Sequence, residues 1–236
     1  MRALFDIARA VVPMRAKRYL RQRQRRALFD RTMREFVNPR SGVHLSAALA
    51  RQLVHGWANE KMSASEEFLQ AIFRYAGEAD GPILECGSGL STLVLGVGAR
   101  RSGQRVWSLE NDPMWVSVVR AALARFAIDN VTVCAAPLHD YGDYEWYAPA
   151  RRELATDFAL VICDGPQGTT PGGRYGLMPV LGPHLRSGCV VLLDDAGRAG
   201  EQDVLARWSD ELNISHEMLG SAKPFARLLM PSESSY

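Results

Sequence analysis

Residues 82–92 read Pro82-Ile83-Leu84-Glu85-Cys86-Gly87-Ser88-Gly89-Leu90-Ser91-Thr92. A short apolar run reaches an acid, two glycines follow one residue apart, and a helical period opens. A β-rich run, a glycine turn and a helix begin a βαβ unit. The glycines permit a tight turn and a close approach of backbone to ligand. Free N–H groups at the start of the helix favour a polar or anionic group there.

Outward from this turn the pattern repeats. Apolar runs at Pro82–Cys86, Arg105–Glu110, Val131–Ala136, Phe158–Cys163 and Cys189–Leu193 alternate with helical segments. That alternation predicts an α/β fold with a doubly wound, mostly parallel sheet. Ser63 with Glu66 reads as a capping box ahead of Phe68, Leu69, Ile72 and Phe73, and Gly77 as a stop. Asp112-Pro113 reads as an N-cap followed by a first-turn proline. Residues 200–211 read as a further helix. Ile214–Leu219 and Phe225–Met230 read as a terminal hairpin.

Composition excludes other classes. The chain has 236 residues, 47% apolar and 23% charged, with net charge +2. This is ordinary globular material and not collagen, low-complexity disorder or a coiled-coil rod. No stretch approaches the ~18 apolar residues of a membrane span. The charge is unevenly spread. Residues 1–35 hold 11 of the 28 Lys and Arg and only Asp6, Asp30 and Glu35 as acids. A basic helical arm over residues 1–40 therefore precedes a mildly acidic body over residues 41–236, with Pro13 splitting the arm and turn chemistry at 38–42. The arm reads as a solvated helix docking on the body or on a second subunit, or as a peripheral contact with an anionic membrane surface or polyanion. Cys86, Cys134, Cys163 and Cys189 lie in or beside apolar runs with no ligand spacing. They read as reduced core thiols of a cytoplasmic protein, without zinc. No nucleic-acid partner is expected.

The chemistry gathers at strand ends. Glu85, Glu110, Asp164 and the Asp194-Asp195 pair terminate four of the five runs. In an open parallel sheet the ligand crevice lies beyond those ends, so these acids are expected to face solvent and ligand. A dinucleotide fingerprint wants Gly or Ala where Thr92 stands. With Glu85 two residues before the first glycine, this disfavours an NAD(P)-dependent oxidoreductase. A non-catalytic cofactor-binding module is disfavoured by the acids of the fourth and fifth runs. Glu110 lies 21 residues after Gly89, where an acid accepts hydrogen bonds from ribose hydroxyls.

The stretches ILECGSGLSTLVLG, VWSLENDPMW and FALVICDGPQG, in this order and spacing, resemble the motifs of class I S-adenosylmethionine-dependent methyltransferases. The resemblance covers residues 60–230. It implies a seven-stranded Rossmann-like sheet with the last strand antiparallel, and S-adenosylmethionine as cofactor. By that resemblance Glu85, Gly87, Ser88 and Gly89 hold the methionine part, Glu110 holds the ribose, Asn111 lies near the adenine, and Pro137 and Leu138 line the adenine pocket. Glu85 and Asp164 suit a cationic sulfonium.

Two routes to the acceptor stay open. Asp164, Asp194 and Asp195 offer hard oxygen ligands to one divalent cation such as Mg, which would lower the pKa of an acceptor hydroxyl. This resembles catechol-type O-methyltransferases, which use Asp, Asp and Asn at these places; here the third is Asp195. Alternatively Asp164 or Asp195 is itself the general base. The patterns DGP-x-G…GR and DD-x-x-R are similar to glucuronoxylan-type sugar O-methyltransferases, implying a carbohydrate or other small hydroxylated acceptor. Arg174 and Arg198 either clamp an anionic group of that acceptor or pair with the neighbouring acids. Residues 139–147, rich in aromatics, read as a lid or as ordinary packing, and Gly168–Gly176 as a mobile acceptor loop.

Overall fold

The computed structural model describes residues 14–38, 44–59, 63–148 and 154–231. The chain divides into two compact units, Met1–Met62 and Ser63–Tyr236. In the first unit, α1 (Met14–Phe36) packs on α2 (Ala47–Trp57), with Phe29, Met33 and Phe36 of the one and Ala50 and Leu53 of the other buried. Gly56 makes the pairing close: a Cβ there would stand 2.8 Å from Phe29 Cβ. Tyr19 and Leu20 are exposed, so the apolar stripe of α1 lies in its second half. The first helix expected for the arm, and the turn at 39–42, lie outside the described residues.

The second unit opens with α3 (Glu66–Glu78) and then alternates β1 (Ile83–Cys86), α4 (Leu90–Ser102), β2 (Val106–Glu110), α5 (Pro113–Arg125) and β3 (Val131–Ala135). A short hairpin follows, β4 (Leu138–Asp140) with β5 (Glu145–Tyr147), then β6 (Phe158–Cys163), β7 (Leu185–Leu193), α6 (Ala199–Leu212), β8 (His216–Leu219) and β9 (Phe225–Leu229). The seven-stranded sheet has the order β3-β2-β1-β6-β7-β9-β8. Neighbours from β3 to β7 are parallel, and β9 is antiparallel to both β7 and β8. This is the doubly wound sheet that the alternation predicts, with the last strand reversed.

Local signals place the helices. Asp112 caps α5, its Oδ1 accepting from Met114 N at 2.8 Å, with Pro113 in the first turn. At α3 the cap is Ser65 rather than the expected Ser63. Its Oγ accepts from Phe68 N at 3.1 Å, the N3 amide that a hydroxyl at the N-cap reaches. The helix also continues through Gly77 to Glu78. Strand alternation sorts the core. Leu84 and Cys86 pack with Trp146, Tyr147 and Trp208 on one face, while Glu85 turns to α4. All four cysteines are free and buried. No helix among the described residues is long and apolar enough to cross a membrane.

Candidate functional site

The site grows from the β1–α4 turn. Gly87 has φ +87°, and a Cβ there would stand 2.7 Å from Gly165 N. Only glycine meets both conditions without strain. Cys86 O accepts from Asp164 N at 2.9 Å and Gly165 N at 2.7 Å. The turn after β1 and the loop after β6 are thereby joined at one sheet edge. A Cβ on Gly89 would meet nothing within 4 Å, so the turn has open space beside it.

Glu85 sits inside β1 and is 0% exposed, against the expectation that every strand-end acid faces solvent. Its Oε2 accepts from Thr92 Oγ1 at 2.7 Å and Ser108 Oγ at 2.5 Å. Thr92 Oγ1 also accepts from Gly89 N at 2.8 Å. Glu85 therefore braces the turn from below. Burial pushes its carboxyl up to about 7, although the Ser108 and Thr92 hydrogen bonds pull it down. Glu85 Oε1 is buried with no hydrogen-bond partner, an atom that a bound ammonium or hydroxyl would satisfy.

Glu110, at the end of β2, braces the turn from the side. Its Oε2 accepts from Ser88 N at 3.1 Å and Ser88 Oγ at 2.7 Å, and its Oε1 from Asp112 N at 3.0 Å. Trp115 Nε1 donates to Ser88 O at 2.8 Å. Asn111 and Pro137 are exposed beyond the ends of β2 and β3, and Leu138 is half-buried. The open turn, the carboxylates around it and the orphaned Glu85 oxygen leave space and acceptor atoms for a polar ligand.

The acids of β6 and β7 meet next to this turn. Among the described residues, Asp164, Asp194 and Asp195 bring candidate ligand oxygens within 4.8 Å of one another. Asp194 is buried at 2% exposure, with Oδ1 lacking a partner. Asp164 and Asp195 keep side-chain exposures of 19% and 12%, so these two hold the solvent-facing positions. Burial, then the neighbouring Asp194 charge, pushes Asp164 well above the usual carboxylate range; Asp194 is raised by burial and by Asp195.

Arg174 reaches into this group. Only 2% exposed, it donates to Asp194 O and, at 2.9 Å, to Asp164 O. Nη2 also lies 3.3 Å from Asp164 Oδ1 and 3.4 Å from Asp195 Oδ2, and Nη1 lies 3.8 Å from Glu201 Oε1. Arg198, more than half exposed, places Nη1 at 2.9 Å from Asp195 Oδ2. Both arginines thus pair with acids, and of the two only Arg198 also faces solvent. The same contacts bear on a divalent cation. A cation on the three acids would share Asp164 Oδ1 and Asp195 Oδ2 with guanidinium groups, so two of the three carboxylates already have a positive partner and the set as arranged is a poor fit for a dication.

Of the two readings of the aromatic segment, packing holds for Trp146 and Tyr147, whereas the glycine-rich loop differs from the mobile loop expected. The aromatic segment is the β4–β5 hairpin, with Trp146 and Tyr147 fully buried. Tyr141 stacks on Tyr144 at 5.2 Å, and Tyr144 meets Tyr175 edge-on at 5.1 Å. The glycine-rich loop is anchored over its second half. Gly172 lies against Tyr144, Gly176 against Trp146, and Arg174 and Tyr175 are buried. Sequence reading also missed Thr92, Ser108 and Trp115 as supports. Ser108 left a trace, a small hydroxyl in the apolar run VWSLE, directly in register with Glu85.

A protein-family model described as a methyltransferase domain matches residues 84–196. The fold is that of methyltransferases. At least three solved structures are similar. Precorrin-6y C5,15-methyltransferase from Geobacter metallireducens is 15% identical, with a TM-score of 0.55 over 73% of this chain and 92% of that one. An SAH-bound methyltransferase from Podospora anserina is 16% identical, with a TM-score of 0.56 over 77% and 84%. An O-methyltransferase from Bacillus cereus in complex with SAH is 18% identical, with a TM-score of 0.51 over 73% and 81%. A comparison with curated sequences finds no match. The domain match over residues 84–196 and the methyltransferase folds of these neighbours agree with one another.

Proposed function

We propose that this methyltransferase moves the methyl group of S-adenosylmethionine to a hydroxyl oxygen of a carbohydrate or other small hydroxylated acceptor. The observation that carries the reading is the double hydrogen bond from Asp164 N and Gly165 N to Cys86 O. It sets the loop bearing an acid beside the turn that would hold the donor. The Gly87–Gly89 turn would hold the methionine part, with Glu85 Oε1 supplying an acceptor for its ammonium. Glu110 would take the ribose hydroxyls, Asn111 would lie near the adenine, and Pro137 with Leu138 would line its pocket.

Methyl transfer is an in-line displacement. The acceptor oxygen forms a bond to the methyl carbon, the carbon–sulfur bond breaks, and sulfur leaves as a neutral thioether. The hydroxyl proton must go to a base within hydrogen-bond reach. Asp164 and Asp195 are the partly exposed acids at the rim; Asp195 can receive it, and Asp164 can do so when ionised, which its raised pKa disfavours. Positioning of the two substrates supplies much of the remaining acceleration. For a divalent cation such as Mg the candidate ligands are Asp164, Asp194 and Asp195. Arg174 already contacts two of them, and no step here runs through a metal. Arg198 faces both Asp195 and solvent, which suits it to an anionic group on the acceptor. The sugar preference is supported by the DGP-x-G and DD-x-x-R patterns and by the exposed ring of Tyr141.

Calorimetry with S-adenosylmethionine and S-adenosylhomocysteine tests the donor. Micromolar binding is expected for both, and no binding of either overturns the reading. Transfer of label from the methyl group into sugar-nucleotide, lipid-linked and polysaccharide pools tests the acceptor.

A further inference from the structure

We infer that Arg174 is the built-in cation of this rim, a positioning residue that ties the ends of β6 and β7 together and keeps a divalent metal from seating among Asp164, Asp194 and Asp195. Its guanidinium bonds to the main-chain carbonyls of Asp164 and Asp194, one at the end of each strand. It also lies 3.3 Å from the Asp164 carboxylate and 3.4 Å from that of Asp195. One planar group thus spans both acidic loops. Its five donors in a rigid fork suit such bridging, where a flexible ammonium would not.

The charge balance points the same way. Three carboxylates this close repel one another, and a buried set needs compensating positive charge. Arg174 supplies it from the protein side and Arg198 from the solvent side, both on Asp195 Oδ2. A dication ligated by these oxygens would stand within a few ångströms of a guanidinium that has no room to leave. Arg174 is 2% exposed and lies beside Glu201, itself buried at the start of α6. Through these bonds Arg174 also ties the Gly168–Gly176 loop to the main chain at the ends of β6 and β7.

The metal half of this inference stands apart from the methyltransferase reading, and only its effect on turnover rests on that reading. Mn²⁺ alone is the probe, added to the full chain near neutral pH and followed by electron paramagnetic resonance, with and without S-adenosylhomocysteine. The wild-type chain is expected to show no Mn²⁺ site tighter than about 1 mM. Arg174→Met is expected to gain at least tenfold in Mn²⁺ affinity, and Arg174→Lys to gain less than Arg174→Met. Micromolar Mn²⁺ binding by the wild type that Asp195→Asn removes would overturn the inference, as would a folded Arg174→Met with no gain. If circular dichroism shows that Arg174→Met does not fold, the wild type decides, with Arg174→Lys required to bind Mn²⁺ no tighter than about tenfold above it. Failure of S-adenosylhomocysteine to bind would count against the methyltransferase reading and leave the Mn²⁺ results to judge Arg174.

Discussion

Gly87 and Gly165 lie backbone against backbone, so close that a Cβ on Gly87 would stand 2.9 Å from Gly165 Cα. The turn after β1 and the loop after β6 are held at a separation that excludes a methyl group. With φ at +87°, Gly87 also occupies a conformation that side chains resist. Gly87→Ala should therefore destabilise the domain by about 2–4 kcal/mol, combining backbone strain with overpacking. Urea melts measure this, and a loss below about 1 kcal/mol would show that the two loops can part freely.

Gly89 makes the opposite case. Its φ of 171° is extended backbone, and a Cβ there meets no protein atom within 4 Å. Gly89→Ala should fold with nearly unchanged stability yet weaken S-adenosylhomocysteine binding at least tenfold, because the methyl enters the space reserved for ligand. Calorimetry beside a thermal melt separates the two effects. Equal loss in both would make Gly89 a folding residue only.

Glu110→Ala removes the acceptor for Ser88 N, Ser88 Oγ and Asp112 N at once. Cofactor affinity should fall by about 1–3 kcal/mol, the cost of charged hydrogen bonds lost. Unchanged affinity would take Glu110 out of the site.

Glu85 predicts a pH signature. Its folded carboxyl binds a proton more tightly than the ordinary value of 4.5, titrating at about 7. The stability it contributes is therefore full below about pH 4.5 and is lost as the pH rises through about 7. At about 1.36 kcal/mol per unit, the loss is about 3 kcal/mol. Glu85→Gln, which has no proton to lose, should be less stable than wild type at acidic pH by an amount that shrinks by about 3 kcal/mol on going to about pH 8. Chemical denaturation of both proteins across this range is the measurement. Parallel curves would mean that Glu85 stays ionised in the fold.

Much of this was legible along the chain. Apolar runs alternating with helical periods predicted the parallel sheet, and the reversed final strand followed from the resemblance. Asp112-Pro113 marked its helix start because an N-cap depends on neighbours two and three residues away. Glu85, Glu110 and Asp164 read as one rim, and the structure joins them through Ser88, Gly87 and Cys86. Their burial was not legible. Glu85 looked like a solvent-facing acid because nothing local reveals that Thr92 and Ser108 close over it. Arg174 left the clamp and the pairing readings equally open, since its partners lie 10 and 20 residues away on strands whose adjacency is a property of the sheet.

Secondary structure, strand-end chemistry and the glycine turn rest on interactions between near neighbours, and the order of residues alone determined them. Which acids are buried, which arginine neutralises them and which loops are tied together were decided only when β1, β6 and β7 came to lie side by side. Desolvation and charge pairing act through space, so distant segments must be packed before either has a value.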